Sequence, residues 1–124
     1  MSAVRRGKDA EEAAASLRRN LPPAHVEFLR SLRLSATIGD YFFCHAGVRP
    51  GVPLEAQRAE DLLWIRDEFL RADTDFGKVV VHGHTPVTRP ELRANRINID
   101  TGAYITNRLT CLVLEGTDQR FLWA

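Results

Sequence analysis

Two cysteines, Cys44 and Cys111, are all that the chain offers toward a disulfide or a thiolate metal site, and no Cys-x-x-Cys spacing joins them. A dithiol redox module or a zinc ribbon is therefore excluded. Each cysteine sits inside an apolar strand pattern, so buried, reduced thiols are the expectation, with a Cys44–Cys111 bridge left open. Charge of one sign is missing too: 17 Lys and Arg face 16 Asp and Glu, for a net charge of +1. That balance gives no general electrostatic case for nucleic acid or an anionic membrane, and neither partner is expected. No apolar run is long enough to span a bilayer, and no signal-peptide core is present. Residues 1–6 are basic, but Asp9, Glu11 and Glu12 follow at once, which argues against a transit peptide. A cytoplasmic location is the expectation.

What is present is ordinary globular usage. The 124 residues are 44% hydrophobic and 27% charged, enough for one modest core. Asp9-Ala10-Glu11-Glu12 reads as a capping box, and Ala10, Ala13, Ala14, Leu17 and Leu21 follow it at helical spacing. Pro22-Pro23 breaks that helix and starts another that ends near Leu32, with Val26, Leu29 and Phe28 as its buried face. Residues 34–45 read as a β-hairpin about Gly39-Asp40. Residues 46–57 hold Gly47, Pro50, Gly51 and Pro53 and read as a loop. Residues 59–72 are helical in part. Strands follow at 78–82 and 96–100, and residues 109–114 and 120–123 form a closing hairpin. Helices come first and strands dominate later, which predicts an α/β chain with a mainly β C-terminal half.

The chemistry concentrates at two strand ends. Val79-Val80-Val81-His82-Gly83-His84-Thr85-Pro86 drives β-branched residues into a glycine, a histidine and a helix-incompatible Thr-Pro. Tyr41-Phe42-Phe43-Cys44-His45-Ala46-Gly47 repeats that grammar 39 residues earlier. Neutral imidazole suits divalent zinc, iron or manganese, and the neighbouring glycines allow close backbone approach to a ligand. His45 and His84 therefore predict one shared site. His82 reads as a core residue or as a partner behind a ligand, and His25 as a surface residue. Arg66 follows Leu62-Leu63-Trp64-Ile65 and either pairs with Asp67 or Glu68 or offers its planar fork to a phosphate. Arg49 has a weaker claim on an anion. Asp100 either orients a ligating imidazole or serves as a turn carboxylate.

Four segments carry a resemblance: Phe43-Cys44-His45-Ala46-Gly47-Val48-Arg49-Pro50-Gly51, Asp61-Leu62-Leu63-Trp64-Ile65-Arg66, Val81-His82-Gly83-His84-Thr85-Pro86 and Ile99-Asp100-Thr101-Gly102-Ala103. In this order they resemble the C-terminal half of a bacterial phosphoprotein phosphatase, a calcineurin-like metallophosphoesterase. The resemblance covers residues 21–124, and residues 1–20 form an N-terminal helical segment outside it. It implies an α/β fold that is part of a four-layered metallophosphoesterase sandwich. It also implies phosphoester hydrolysis at two divalent ions, manganese, iron or zinc, with His45 and His84 serving the same ion and Arg66 holding the substrate phosphate. His82 matches no ligand position.

The family's N-terminal motifs, Asp-x-His, Gly-Asp-x-x-Asp-Arg-Gly and Gly-Asn-His-Asp/Glu, are absent, and its general acid goes with them. The expectation is at most one weakly bound ion and no turnover by the chain alone. Apolar sheet surface left uncovered would promote self-association or call for a separate N-terminal half. Phosphoserine or phosphothreonine in proteins is the first substrate class, and a dinucleoside polyphosphate is the alternative. A catalytically dead interaction module is the reading from a different class.

Overall fold

The computed structural model describes residues 7–124, and residues 1–6 of the N-terminal segment lie outside them. The chain divides into two compact units, the first ending at Arg33 and the second running Leu34–Ala124. The resemblance begins earlier, at residue 21. The first unit holds helices α1 (Gly7–Asn20) and α2 (Pro23–Ser31). Helix α1 starts before Asp9, so the capping pattern lies inside it. Pro23 opens α2 at a position where its missing N–H costs nothing. The predicted buried face of α2 is not buried: Phe28 and Leu29 are exposed and Val26 is half-buried. The alanine-rich α1 offers too little apolar bulk to cover them.

The second unit is mixed α/β. Strands β1 (Ser35–Ile38) and β2 (Tyr41–Cys44) form the expected hairpin, and Gly39 supplies the positive φ of +56° that a two-residue turn needs. A single 3-10 turn, Leu54–Ala56, interrupts the predicted loop. Helices α3 (Ala59–Trp64) and α4 (Asp67–Leu70) then carry the chain across to β3 (Val79–His82), which pairs parallel with β2. Strand β4 (Glu91–Leu92) is short and pairs antiparallel with β5 (Arg96–Asn98), which lies parallel to β3. The sheet order is β1-β2-β3-β5-β4. A short helix α5 (Ala103–Thr106) precedes a separate hairpin of β6 (Thr110–Glu115) and β7 (Asp118–Trp123).

The alternation of β2 and β3 sends Phe42 and Val80 to the helical face, where Ala46, Val48, Leu62, Ile65 and Phe69 complete the core. Residues 59–72 are helical in part, as expected, with an interruption at Ile65-Arg66. In an unbroken helix the Leu62 carbonyl would accept the Arg66 N–H; here it accepts the Ala46 N–H at 2.7 Å. That single exchange stitches the residue after His45 to α3 and leaves Trp64 and Arg66 exposed at a corner. Both cysteines are free. Cys44 is half-buried, and burial pushes its thiol up to about 12, but Cys111 is exposed, against the expectation of burial. Leu109, Leu122 and Trp123 of the closing hairpin and Ile38 on edge strand β1 are exposed as well. Among the described residues no helix is long and apolar enough to cross a membrane.

Candidate functional site

Strands β2, β3 and β5 run parallel and end side by side, with Phe43 opposite Val81 and His82 opposite Asn98. Pairing continues one step beyond the strands: the Gly83 N–H donates to the His45 carbonyl at 2.8 Å, and the Ile99 N–H to the His82 carbonyl at 3.0 Å. The residues emerging from these three carboxyl ends are His45, His84 and Asp100. Open α/β sheets place ligands at this edge.

The two imidazoles meet. His45 Nε2 lies 3.0 Å from His84 Nδ1, and the ring planes are inclined at 63°. His84 reaches this position through a tight turn in which the Thr85 N–H donates to the Gly83 carbonyl at 2.8 Å and His84 takes φ +67°. This is the left-handed γ-turn, a strained form for a residue with a side chain. Asn98 braces it: fully buried, it donates from Nδ2 to the Thr85 carbonyl at 2.9 Å and accepts the Asp100 N–H on Oδ1 at 3.0 Å. Trp64 meets the His84 ring edge-on, with centroids 5.6 Å apart.

Arg66 reaches the turn beside His84, although it lines a separate hollow with Trp64, Asp61 and Glu68. Its Nη1 donates to the Thr85 hydroxyl at 3.3 Å. The alternative partners predicted for it are taken, since Asp67 pairs with Arg71 and Glu68 with Arg49. Arg49 carries no free fork for an anion: it grips both oxygens of the buried Asp61 and reaches Glu68 as well. Asp100 behaves as a turn carboxylate, accepting the Gly102 N–H at 2.9 Å. It nevertheless shares a hollow of about 360 Å³ with His45, His84, Phe43, Val81 and Leu109.

The titration of His84 follows from this setting. Burial first, then the neighbouring charges of Arg66 and His45, hold it below the usual histidine range, with Asp100 opposing them. A neutral ring is the form that donates a lone pair to a metal. At bonds of about 2.1 Å, two nitrogens this far apart subtend roughly 90° at a shared ion, a normal angle between adjacent ligands of a six-coordinate centre. In this structure the two rings share that contact as a hydrogen bond, so one of the two nitrogens carries a proton, and the spacing alone accords with two adjacent ligand positions. Two neutral donors fall short of the four to six ligands that such ions take. Among the described residues no cluster of three or more His, Cys, Asp or Glu side chains is placed to hold a metal ion. The His84 Nε2 is buried with no hydrogen-bond partner among the described residues. Metal-bound histidines usually hand that second nitrogen to an acceptor.

His82 lies in the core rather than the site. Its Nδ1–H donates to the Gly83 carbonyl at 3.2 Å, and its Nε2 accepts from Arg96 Nη1 at 3.3 Å. A guanidinium only donates, so the ring is neutral, and burial pushes its pKa down to about 4. Arg96 is itself buried, pairs with Glu91 at 2.9 Å and lies over the Phe69 ring. Sequence reasoning allowed His82 a place in the core but missed its partners Arg96 and Glu91, and Asn98. The alternation Arg96-Ile97-Asn98-Ile99 carried the signal, because it sets two polar residues on one face of a strand. Neither a protein-family model nor a curated protein matches the chain.

Proposed function

We propose that this chain carries half of a metal-dependent phosphoester hydrolysis site of the serine/threonine protein phosphatase type, built on part of a calcineurin-like sandwich. His45 and His84 are two ligands of one divalent ion, and Arg66 binds the substrate phosphate. The observation that carries the reading is the 3.0 Å approach of His45 Nε2 to His84 Nδ1, with the Arg66 guanidinium hydrogen-bonded to the very next residue, Thr85.

Manganese, iron or zinc, once bound, supplies a Lewis acid for the phosphoryl oxygens and lowers the pKa of a bound water. The chain's own residues contribute the ligand pair and the phosphate-binding fork. The γ-turn presents a neutral His84 ring, and the parallel pairing of β2 with β3 brings His45 beside it. Arg66 offers a planar fork to two phosphate oxygens, and the Thr85 hydroxyl holds one of its nitrogens. The substrate class that accords with the resemblance is a phosphoseryl or phosphothreonyl group in a protein.

Titration of the chain with Zn2+, read through the imidazole 15N resonances, tests the reading. The signals of His45 and His84 should move together while those of His25 and His82 stay. Inorganic phosphate should then bind to the Zn2+-loaded chain and lose affinity in Arg66→Lys. Unmoved His45 and His84 signals at saturating Zn2+ would overturn the assignment.

A further inference from the structure

We propose that Arg49 is a positioning residue for this site: its guanidinium locks the loop that follows His45 onto the corner carrying Trp64 and Arg66. The imidazole pair and the Arg66 fork then keep one spacing. The inference rests on the reading of His45, His84 and Arg66 given above.

Arg49 lies four residues after His45. Its Nη2 and Nε meet the carboxylate of Asp61 at 2.6 and 3.0 Å, and its Nη1 meets Glu68 at 2.6 Å. Asp61 belongs to α3 and Glu68 to α4, and Arg66 stands at the break between those helices. One guanidinium therefore spans the break. The loop end is held as firmly: Gln57 accepts the Arg49 N–H at 2.7 Å and donates to the Arg49 and Val52 carbonyls at 3.0 and 2.8 Å. From the other direction, the Ala46 N–H occupies the Leu62 carbonyl. The segment after His45 is thus tied twice to the helices that flank Arg66, once through backbone at Ala46 and Leu62 and once through the Arg49 fork.

Most exposed ion pairs contribute little. This one differs because Asp61 is buried, with only 6% of its surface exposed. A carboxylate in that position needs a bidentate donor, and lysine cannot supply one. The Asp61 carboxyl accordingly sits below the ordinary aspartate range, chiefly through its hydrogen bonds to Arg49. With the fork on Asp61 and Nη1 on Glu68, the guanidinium acts on geometry rather than on substrate.

The test compares the native chain with Arg49→Gln, Arg49→Lys and Glu68→Gln. Glu68 is exposed, so the last variant removes only the α4 tie and leaves a folded reference. Two readouts are taken on folded samples: the imidazole 15N signals of His45 and His84 without metal, and Zn2+ affinity. Arg49→Gln should shift both imidazole signals and lower Zn2+ affinity roughly 10- to 100-fold, as loss of a supporting partner around ligands does. Arg49→Lys should fall between the two, and Glu68→Gln should show the smallest shift. A salt bridge that merely stabilises would lower the melting temperature and move neither readout. Native signals and native Zn2+ affinity in folded Arg49→Gln would overturn the proposal. If the native chain binds no Zn2+ at His45 and His84, the metal reading fails, and the metal-free imidazole signals alone decide the role of Arg49.

Discussion

Gly47, two residues after His45, gives the sharpest quantitative test of the core beneath the site. A Cβ added there would lie 2.2 Å from Cδ1 of Phe69, a ring with no exposed surface. Two costs follow for Gly47→Ala. The backbone at φ +152° strains any residue with a side chain, by about 1–3 kcal/mol. Forcing a methyl against a buried aromatic adds about 1–3 kcal/mol of overpacking. The sum, about 2–6 kcal/mol, is a large share of the roughly 5–15 kcal/mol that holds a domain folded. Gly51→Ala is the control, because its φ is also positive, at +78°, and nothing lies within 4 Å of the added carbon. It should lose only the backbone term, about 1–2 kcal/mol. Urea unfolding followed by tryptophan fluorescence reads both. In a Phe69→Leu background the cost of Gly47→Ala should shrink, with a coupling of about 1–3 kcal/mol between contacting residues. Equal costs at positions 47 and 51, or strict additivity with Phe69→Leu, would refute the reasoning.

Arg96→Met should destabilise the second unit by about 1–3 kcal/mol, because it leaves the buried His82 without its donor and Glu91 with Arg93 alone, and denaturant midpoints check this. Asp61 and Glu91 are held below their ordinary values of 3.8 and 4.5 by hydrogen bonds to Arg49 and Arg96. Their stabilising contribution is therefore complete above those ordinary values and disappears as pH falls through the lower folded values. Asp61→Asn should flatten that acid limb in a pH series of urea midpoints, and an unchanged limb would contradict the assignment. Asn98→Ala should cost about 1–3 kcal/mol by stranding buried groups and should shift the His84 imidazole signal through the γ-turn it braces.

Local grammar made the strands legible. The alternation and turn pair of residues 34–45 predict a hairpin, and strands stand at Ser35–Ile38 and Tyr41–Cys44. The valine run predicts a strand over 78–82, and Val79–His82 forms it. The proximity of His45 and His84 was legible from two strands that each deliver a histidine beside a glycine. What the chain's local pattern hid were effects decided elsewhere. The break at Ile65-Arg66 depends on the Ala46 amide, which captures a carbonyl 16 residues later. The exposure of Phe28 and Leu29 depends on what lies across from α2, which helical spacing alone does not reveal. Gly47 was expected to admit a ligand, but the neighbour it accommodates is the Phe69 ring. The buried Arg96 looked like an ordinary strand start because its partner Glu91 sits on a two-residue strand too short to recognise.

Because β2, β3 and β5 lie in unbroken parallel register, the candidate chemistry inherits its alignment from main-chain pairing. Side chains of a strand alternate strictly, so one extra residue within Val79–His82 would turn every following side chain to the opposite face. His82 would leave Phe69, and His84 would leave His45. Such a site tolerates swaps of residue type around its rim far better than it tolerates a change of chain length in the strands beneath it. Its history should therefore be written in substitutions, with length variation confined to the connections.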